Sequence, residues 1–158
     1  MLGILSKEAG KDVLRANIIG RIGCNDGTRT YIVPVQYVFD GKDIYSHGAD
    51  RMKIHIMRKN PAVCFEADQI HHLNNWKSVI AWGKYEELKS EYARYNAISL
   101  FTKHFLQLKI SKTAMLPQIG IDNEFPFSAA HIRPVIFRII IEDLTGRFEN
   151  TLPANLGN

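Results

Sequence analysis

The sequence has no long apolar run. No stretch approaches the ~20 consecutive apolar residues that a membrane-spanning helix needs. Cysteine is scarce as well, since Cys24 and Cys64 are the only two among 158 residues. Two reduced, buried thiols of a cytosolic protein are the simpler interpretation, and a disulfide between them stays open. The first residues offer neither a basic segment nor an apolar patch long enough for a signal peptide. We therefore expect a cytoplasmic protein with no membrane partner.

The motifs of several enzyme classes are absent too. The chain contains no Walker loop and no GxGxxG, GxSxG, HExxH or CxxC pattern. The net charge is +4, but the basic residues are scattered, which favours a small anionic ligand over a nucleic acid. The adjacent His71 and His72 have no Cys, Asp or Glu at a ligand-like spacing, so no metal site is expected. An enzyme of this sequence would rely on a cofactor for its chemistry.

The 158 residues, 46% apolar and 23% charged, predict one domain, spanning residues 1–158, with a core of its own. Strand-like runs dominate, and glycines within them, such as Gly20 and Gly23, indicate the bends of a small barrel. The barrel core is expected over about residues 17–148. Its last strand, residues 135–142, is apolar on both faces and should be central. Residues 111–134 contain three prolines and are expected to be irregular.

Helices are predicted at three places, and two of them begin at a serine cap. Ser6 caps the first, which should end near Ala16 and lie on the sheet surface. Ser90 caps the last, which should reach about Lys109. His71 and His72 are assigned to a polar loop over residues 69–75, between the strands at residues 62–68 and 76–88. Apolar residues at helical spacing in the last helix are assigned to the core: Ala93, Ala97, Phe101, Phe105 and Leu108.

The most informative stretch runs from Tyr31 to Lys53 and reads YIVPVQYVFDGKDIYSHGADRMK. It starts with a strand whose apolar and polar positions alternate, followed by Asp40-Gly41, a strong hairpin turn signal. Pro34 within that strand removes a backbone donor. It therefore indicates an edge, a bulge, or a strand whose backbone faces a ligand.

The same stretch ends in a strand-to-helix connection. Gly48 permits close approach of a ligand to the backbone, and Asp50 is predicted to cap the helix that follows. Lys53, in the first turn, adds a full positive charge to the positive end of the helix dipole, an arrangement that suits a phosphate. An ordinary hairpin followed by a surface helix would produce the same local pattern, so both interpretations stay open.

The order of these segments resembles the FMN-binding split-barrel proteins of the pyridoxamine 5'-phosphate oxidase-like superfamily, and within it the nitroimidazole-resistance group. The resemblance rests on YIVPV, IYSHGA with the following Lys53, RKNPAVCFE and WKSVIAWGKYEEL. It covers about residues 6–110 and is weaker over residues 135–147. It implies a mainly β fold with flanking helices, a six-stranded antiparallel split β-barrel. It also implies a homodimer with one FMN in each of two grooves at the interface.

The resemblance further implies which residues contact FMN. The strand around Pro34 would lie along the isoalloxazine edge, and Lys53 would bind the phosphate. Two positions depart from many relatives: Arg51 lies in a segment where they carry glycine, and Lys77 replaces an arginine. His47 is a possible substrate contact or a structural hydrogen-bonding residue. The complete expected cofactor-binding set is Val33, Pro34, Val35, His47, Gly48, Ala49, Arg51, Lys53, Trp76, Lys77 and Ser78.

The function implied is that of an FMN-dependent oxidoreductase. It would pass electrons from a reduced nicotinamide or another donor to a small planar acceptor such as a nitroaromatic. A flavin-binding carrier or sensor without turnover stays open. A haem-binding split-barrel protein is the other alternative, although no spacing favours it; its axial ligand would come from His71, His72, His104 or His131.

Overall fold

The computed structural model describes residues 1–107 and 133–150. Most of the predicted irregular segment, together with Leu108, Lys109 and His131, lies outside these residues. None of the described helices is long and apolar enough to cross a membrane. In chain order the elements are β1 (Leu2–Ile4), α1 (Lys7–Ala16), β2 (Ile19–Asn25), β3 (Thr30–Phe39), β4 (Ile44–Gly48), α2 (Met52–Lys59), β5 (Ala62–His72), β6 (Asn75–Glu87), α3 (Glu91–Gln107) and β7 (Val135–Asn150).

Six strands close into an antiparallel ring in the order β2, β3, β4, β7, β6, β5 and back to β2. The last strand, β7, is central because its first part pairs with β4 while nearly its whole length pairs with β6. The predicted six-stranded barrel is confirmed. The structure adds β1, which the sequence did not indicate, against the end of β7.

The barrel interior is built from alternate positions of the strands, among them the fully buried Phe65 and Phe137. The helix α1 packs against this core through Val13 and Leu14. Tyr37, also fully buried, donates a hydrogen bond of 2.8 Å from its hydroxyl to the carbonyl of Leu14. This bond satisfies a carbonyl at the C-terminal end of α1, which no backbone amide of the helix can reach.

The third helix covers the outer face of β3, β4 and β7. Phe101 and Phe105 pack with Val38 of β3, and Ala97 packs with Ile136 of β7. The predicted core stripe of this helix is therefore confirmed within the described residues. Both predicted serine caps are confirmed as well: the Ser6 and Ser90 hydroxyls each accept a hydrogen bond of 3.2 Å from the amide three residues later.

Two boundaries predicted from local pattern were wrong. The polar stretch over residues 69–75 is not a loop, because β5 continues to His72 and only two residues separate it from β6. The last strand does not end before Thr145, because pairing with β6 and β1 extends it to Asn150. In both places backbone pairing with a neighbouring strand outweighs the polar side chains.

The two cysteines are free thiols. Cys24 is buried in the core, whereas the Cys64 sulfur lies on the other face of the sheet, 2.7 Å from where a Cβ at Gly23 would be. Because side chains on neighbouring strands must share a face to form a disulfide, this placement supports the reduced pair expected from composition.

Candidate functional site

The connection between β4 and α2 brings a lysine onto a glycine. The side chain of Lys53 folds back over Gly48, so that Nζ lies 2.6 Å from the position a Cβ at Gly48 would take. Only a residue without a side chain leaves room for the ammonium group there. The structure therefore explains the glycine by the space that Lys53 occupies.

The N-terminus of α2 next to this lysine has no side-chain cap. Its N-cap residue is Arg51, whose side chain makes no capping hydrogen bond. The Ile54 and His55 amides donate to the Arg51 carbonyl at 2.9 and 3.1 Å, as in an ordinary first turn. The earlier amides of the helix have no carbonyl within the helix to bind, so they remain donors for an anion.

The predicted cap by Asp50 was wrong. Instead of turning toward the helix amides, its carboxylate accepts hydrogen bonds of 2.9 Å from Arg58 Nη1. The His55 ring nitrogen Nε2 lies 2.9 Å from the same carboxylate. The hydrogen bonds from Arg58 are the main reason that the pKa of Asp50 is lowered. The Asp50 carboxylate, which was predicted to cap the helix N-terminus, is instead bound by Arg58 from the last turn of the same helix.

The pKa shifts of Lys53 and His47 reflect burial and neighbouring positive charge at this end of the barrel. Burial lowers the pKa of Lys53, and repulsion from Arg51 lowers it further. Burial also lowers the pKa of His47, with the charge of Lys53 as the second cause. His47 is therefore neutral near pH 7. A bound phosphate would relieve the repulsion that both shifts reflect.

One edge of β3 is open beside the same region. Pairing with β4 is confined to Tyr37–Phe39, so among the described strands residues 30–36 have a neighbour on the β2 side alone. The Tyr37 amide donates toward that side, to the carbonyl of Ile18 just before β2, at 3.0 Å. Because amide directions alternate along a strand, the nitrogen of Pro34 faces the open edge, where no ladder bond is lost. Pro34 is thus the edge residue that the sequence allowed. Val33 beside it is half-buried and Val35 is buried.

His47 lies on the outer face of β4, opposite Ile136. Its ring meets Phe101 of α3 edge-on, with centroids 5.2 Å apart. Its Nε2 atom is buried and has no hydrogen-bond partner. A buried polar atom without a partner is costly, so among the described residues His47 Nε2 is an unsatisfied group packed beside Phe101.

The three residues of the predicted cofactor site on β6, namely Trp76, Lys77 and Ser78, do not contact the β4–α2 connection. The Trp76 indole donates to Glu149 at 3.1 Å, the Ser78 hydroxyl donates to Glu66 at 3.0 Å, and Lys77 is exposed. On β5, the partner of Ser78 lies five positions beyond the partner of Cys24, which at about 3.4 Å per residue amounts to about 17 Å. Lys53 lies beside Gly48 at the end of β4, whereas Ser78 lies within the β5–β6 ladder and binds Glu66. Within one chain the two residues therefore lie in different parts of the barrel.

The histidines considered as haem ligands are scattered over the described residues. His71 and His72 are exposed at the β5–β6 hairpin. His104 meets Phe105 edge-on at 6.0 Å, and its Nε2 has no hydrogen-bond partner. Across residues 1–107 and 133–150 no three His, Cys, Asp or Glu side chains are grouped as metal ligands.

Sequence reasoning missed Arg58. Its Nε and Nη2 atoms donate to the Glu87 carboxylate at 2.7 and 2.9 Å, while Nη1 binds Asp50. The Tyr85 hydroxyl donates to Glu87 as well, at 3.1 Å. No local pattern indicates this cluster, because Glu87 comes from a strand 29 residues further along the chain.

A closed six-stranded antiparallel barrel with a cationic strand-to-helix connection at one strand end defines a split-barrel protein. Residues 6–147 match the family described as pyridoxamine 5'-phosphate oxidase, and the chain belongs to this family. The resemblance inferred from the sequence is confirmed.

Individual relatives cover nearly the whole chain. The chain is similar to an FAD-binding protein from Mesorhizobium loti, with 30% identity, a TM-score of 0.70, and coverage of 96% of this chain and 98% of that one. A protein of Rhizobium meliloti (strain 1021) is 29% identical over 148 residues, which is 91% of this chain and 93% of its own length. A candidate 5-nitroimidazole antibiotic resistance protein from Bacteroides thetaiotaomicron VPI-5482 has a TM-score of 0.69 at 15% identity, covering 94% and 87% of the two chains. At that identity the likeness shows the fold alone.

Proposed function

We propose that this protein binds FMN and acts as an oxidoreductase. The observation that carries the proposal is the ammonium group of Lys53 placed against Gly48, beside the uncapped N-terminus of α2. This is a phosphate-binding arrangement built from a full charge, a helix dipole and free amides. The FAD-binding relative from Mesorhizobium loti supports a flavin as the molecule that carries the phosphate.

The described residues fit such a cofactor in three ways. Lys53 and the first amides of α2 would hold the phosphate, with Arg51 adding charge at the entrance. The open edge of β3 would offer backbone groups around Pro34 to the rim of the ring system. The Nε2 atom of His47, which lacks a partner among the described residues, would offer one hydrogen-bonding group, a donor or an acceptor according to the tautomer of the neutral ring.

The chemistry would come from the cofactor. FMN, when bound, supplies electron transfer between a reduced nicotinamide or another donor and a small planar acceptor such as a nitroaromatic. The protein contributes position, charge and exclusion of water from the ring face. Its described side chains need no acid–base constellation for this role.

We also propose that the protein is a homodimer with its two sites at the interface. This would reconcile the two predicted sets of residues, because Lys53 of one protomer and Lys77 of the partner subunit would then reach one ligand. Exposed apolar side chains support an interface. Ile32 on the open edge of β3 is 67% exposed, and Leu73 at the β5–β6 hairpin is 97% exposed.

Titration of the purified protein with FMN, FAD and riboflavin, followed by flavin fluorescence, tests the proposal. We expect tight binding of FMN and weaker binding of riboflavin, which lacks the phosphate. Lys53→Ala should weaken FMN binding about ten-fold or more while leaving riboflavin binding and the unfolding temperature nearly unchanged. Equal affinity of the wild type for FMN and riboflavin would contradict the proposed phosphate site.

Turnover is measured separately. Steady-state oxidation of a reduced nicotinamide, with a nitroaromatic as acceptor, is the expected result for the flavin-loaded protein. Stable flavin binding without any turnover would favour the carrier or sensor. A Soret band on the purified protein, with no flavin bound, would favour the haem alternative.

A further inference from the structure

Arg58 ties three elements together through one guanidinium group. Nη1 lies 2.9 Å from both oxygens of Asp50, which precedes α2. Nε and Nη2 bind the two oxygens of Glu87 at the end of β6, at 2.7 and 2.9 Å. All three nitrogens of the side chain are therefore committed to two carboxylates.

Asp50 is the kind of residue that ordinarily caps a helix, and it stands one residue before the N-cap of α2. A carboxylate free to turn toward the first amides would bind them and neutralise the positive end of the helix. It would then compete with any incoming anion for the same donors. In the structure the carboxylate is instead held by Arg58, with His55 as its second neighbour.

As a result, the first amides of α2 have no side-chain cap, although Asp50 is close by in the sequence. Lys53, in the first turn of the helix with its Nζ 2.6 Å from the Cβ site of Gly48, adds a positive charge at the same end of α2. We propose that Arg58 is a positioning residue that holds Asp50 away from the N-terminus of α2 and so keeps that terminus available to the cofactor phosphate. The inference rests on the FMN site proposed above.

The geometry requires an arginine. A guanidinium group can bind Glu87 through one edge and Asp50 through the remaining nitrogen, whereas the single ammonium of a lysine cannot span both carboxylates in this way. Glu87 in turn fixes the guanidinium, since its carboxylate is half-buried and also accepts from Tyr85. Within this cluster, the contact between Arg58 and Asp50 is the one that we expect to affect phosphate binding.

The test is a double-mutant cycle on Asp50 and Arg58, with FMN and riboflavin as the two probes. Arg58→Met removes the guanidinium and keeps an unbranched side chain suited to a helix. We expect it to weaken FMN binding about five-fold and to leave riboflavin binding unchanged. Asp50→Asn in the wild-type background should change FMN affinity less than two-fold, because Arg58 already neutralises that carboxylate.

The double variant decides the matter. If a freed Asp50 is what blocks the phosphate, adding Asp50→Asn to Arg58→Met should restore FMN affinity to within about two-fold of wild type. If only the general charge balance matters, the two single effects will add, and Asp50→Asn alone will tighten FMN binding as much as Arg58→Met weakens it. Additive effects would overturn the inference.

Glu87→Gln is the matched control for a purely structural role. It weakens the link between α2 and β6 but removes neither Arg58 nor the Nη1 contact with Asp50, so the ratio of FMN to riboflavin affinity should change far less than in Arg58→Met. A variant that loses both ligands in proportion to its lowered unfolding temperature would overturn the inference and leave the proposed function intact. A wild-type protein that binds neither FMN nor FAD would overturn the proposed function, and the inference with it.

Discussion

The ammonium group of Lys53 occupies the space in which a side chain at Gly48 would begin, with Nζ 2.6 Å from that Cβ position. The closest atom is the far end of a flexible side chain, so a methyl group can be accommodated if the lysine moves. A substitution at Gly48 should therefore affect ligand binding more than stability. Even alanine at this position would displace the Lys53 ammonium group that we propose binds the phosphate.

Gly48→Ala should displace Lys53 and weaken FMN binding about ten-fold, because a charge-assisted hydrogen bond is lost or lengthened. The free energy of unfolding should change by less than about 1 kcal/mol. Gly27→Ala is the matched control, since Gly27 has a φ of +98° in an open turn with no neighbouring atom within 4 Å of its Cβ position. That variant should lose stability through backbone strain and keep its FMN affinity. Urea unfolding and fluorescence titration of both variants measure the two effects.

The FMN affinity of the wild type should fall on the alkaline side, at a lower pH than the ordinary lysine pKa of 10.5 would give. The pKa of Lys53 is lowered by burial and by Arg51, so the ammonium group of the free protein is lost at a lower pH than that of an exposed lysine. Lys53→Arg keeps its charge throughout this range and should bind FMN with little dependence on pH. Titrations from pH 7 to pH 9.5 measure the difference. Parallel curves for the two proteins would show that Lys53 does not carry the binding charge.

Acid should destabilise the protein through His47. Its pKa is lowered in the folded state, chiefly by burial. The unfolded chain therefore binds a proton that the folded chain does not, and the stability present above about pH 6.5 is lost as the pH falls through that value. His47→Gln should reduce the loss in urea midpoint between pH 7.5 and pH 5. Equal acid sensitivity of wild type and His47→Gln would contradict the prediction.

The proposed dimer predicts complementation between two defective variants. Lys53→Ala and Lys77→Ala should each weaken FMN binding at both sites of their own homodimers. After mixing and re-pairing, about a quarter of all sites should bind FMN as tightly as wild type, since half of the dimers are mixed and each has one intact groove. If the two lysines act within one chain, or if Lys77 plays no part, mixing will restore nothing. Size-exclusion chromatography with light scattering establishes that the species measured are dimers.

Much of the barrel could be predicted from local pattern because its strands obey a period of two. The alternation through Tyr37 places every second residue in the core, and the glycine at position 83 marks a real irregularity, where β6 and β7 shift register. The helix caps at Ser6 and Ser90 followed from residue type alone, since a serine hydroxyl reaches the amide three residues on. These features depend on neighbours along the chain.

The candidate site was only partly predictable, and Asp50 shows why. Judged by its neighbours it is a helix cap, but Arg58 and His55 compete for its carboxylate, and Arg58 is itself fixed by Glu87 from β6. An aspartate goes to the strongest donors within reach, and a guanidinium outcompetes neutral amides. Which donors are within reach depends on how the barrel closes.

By itself the sequence determined alternating strands and a lysine at a glycine-containing strand-to-helix connection, and its family resemblance implied the antiparallel barrel. The local features follow from side-chain period, turn residues and charge, which act over a few residues. Only the tertiary structure decided that Lys53 lies on Gly48, that among the described strands the edge of β3 at Pro34 stays open, and that the β5 partners of Cys24 and Ser78 lie about 17 Å apart. The reason is that distances between strands depend on their register around the closed ring, which no segment of the chain contains alone.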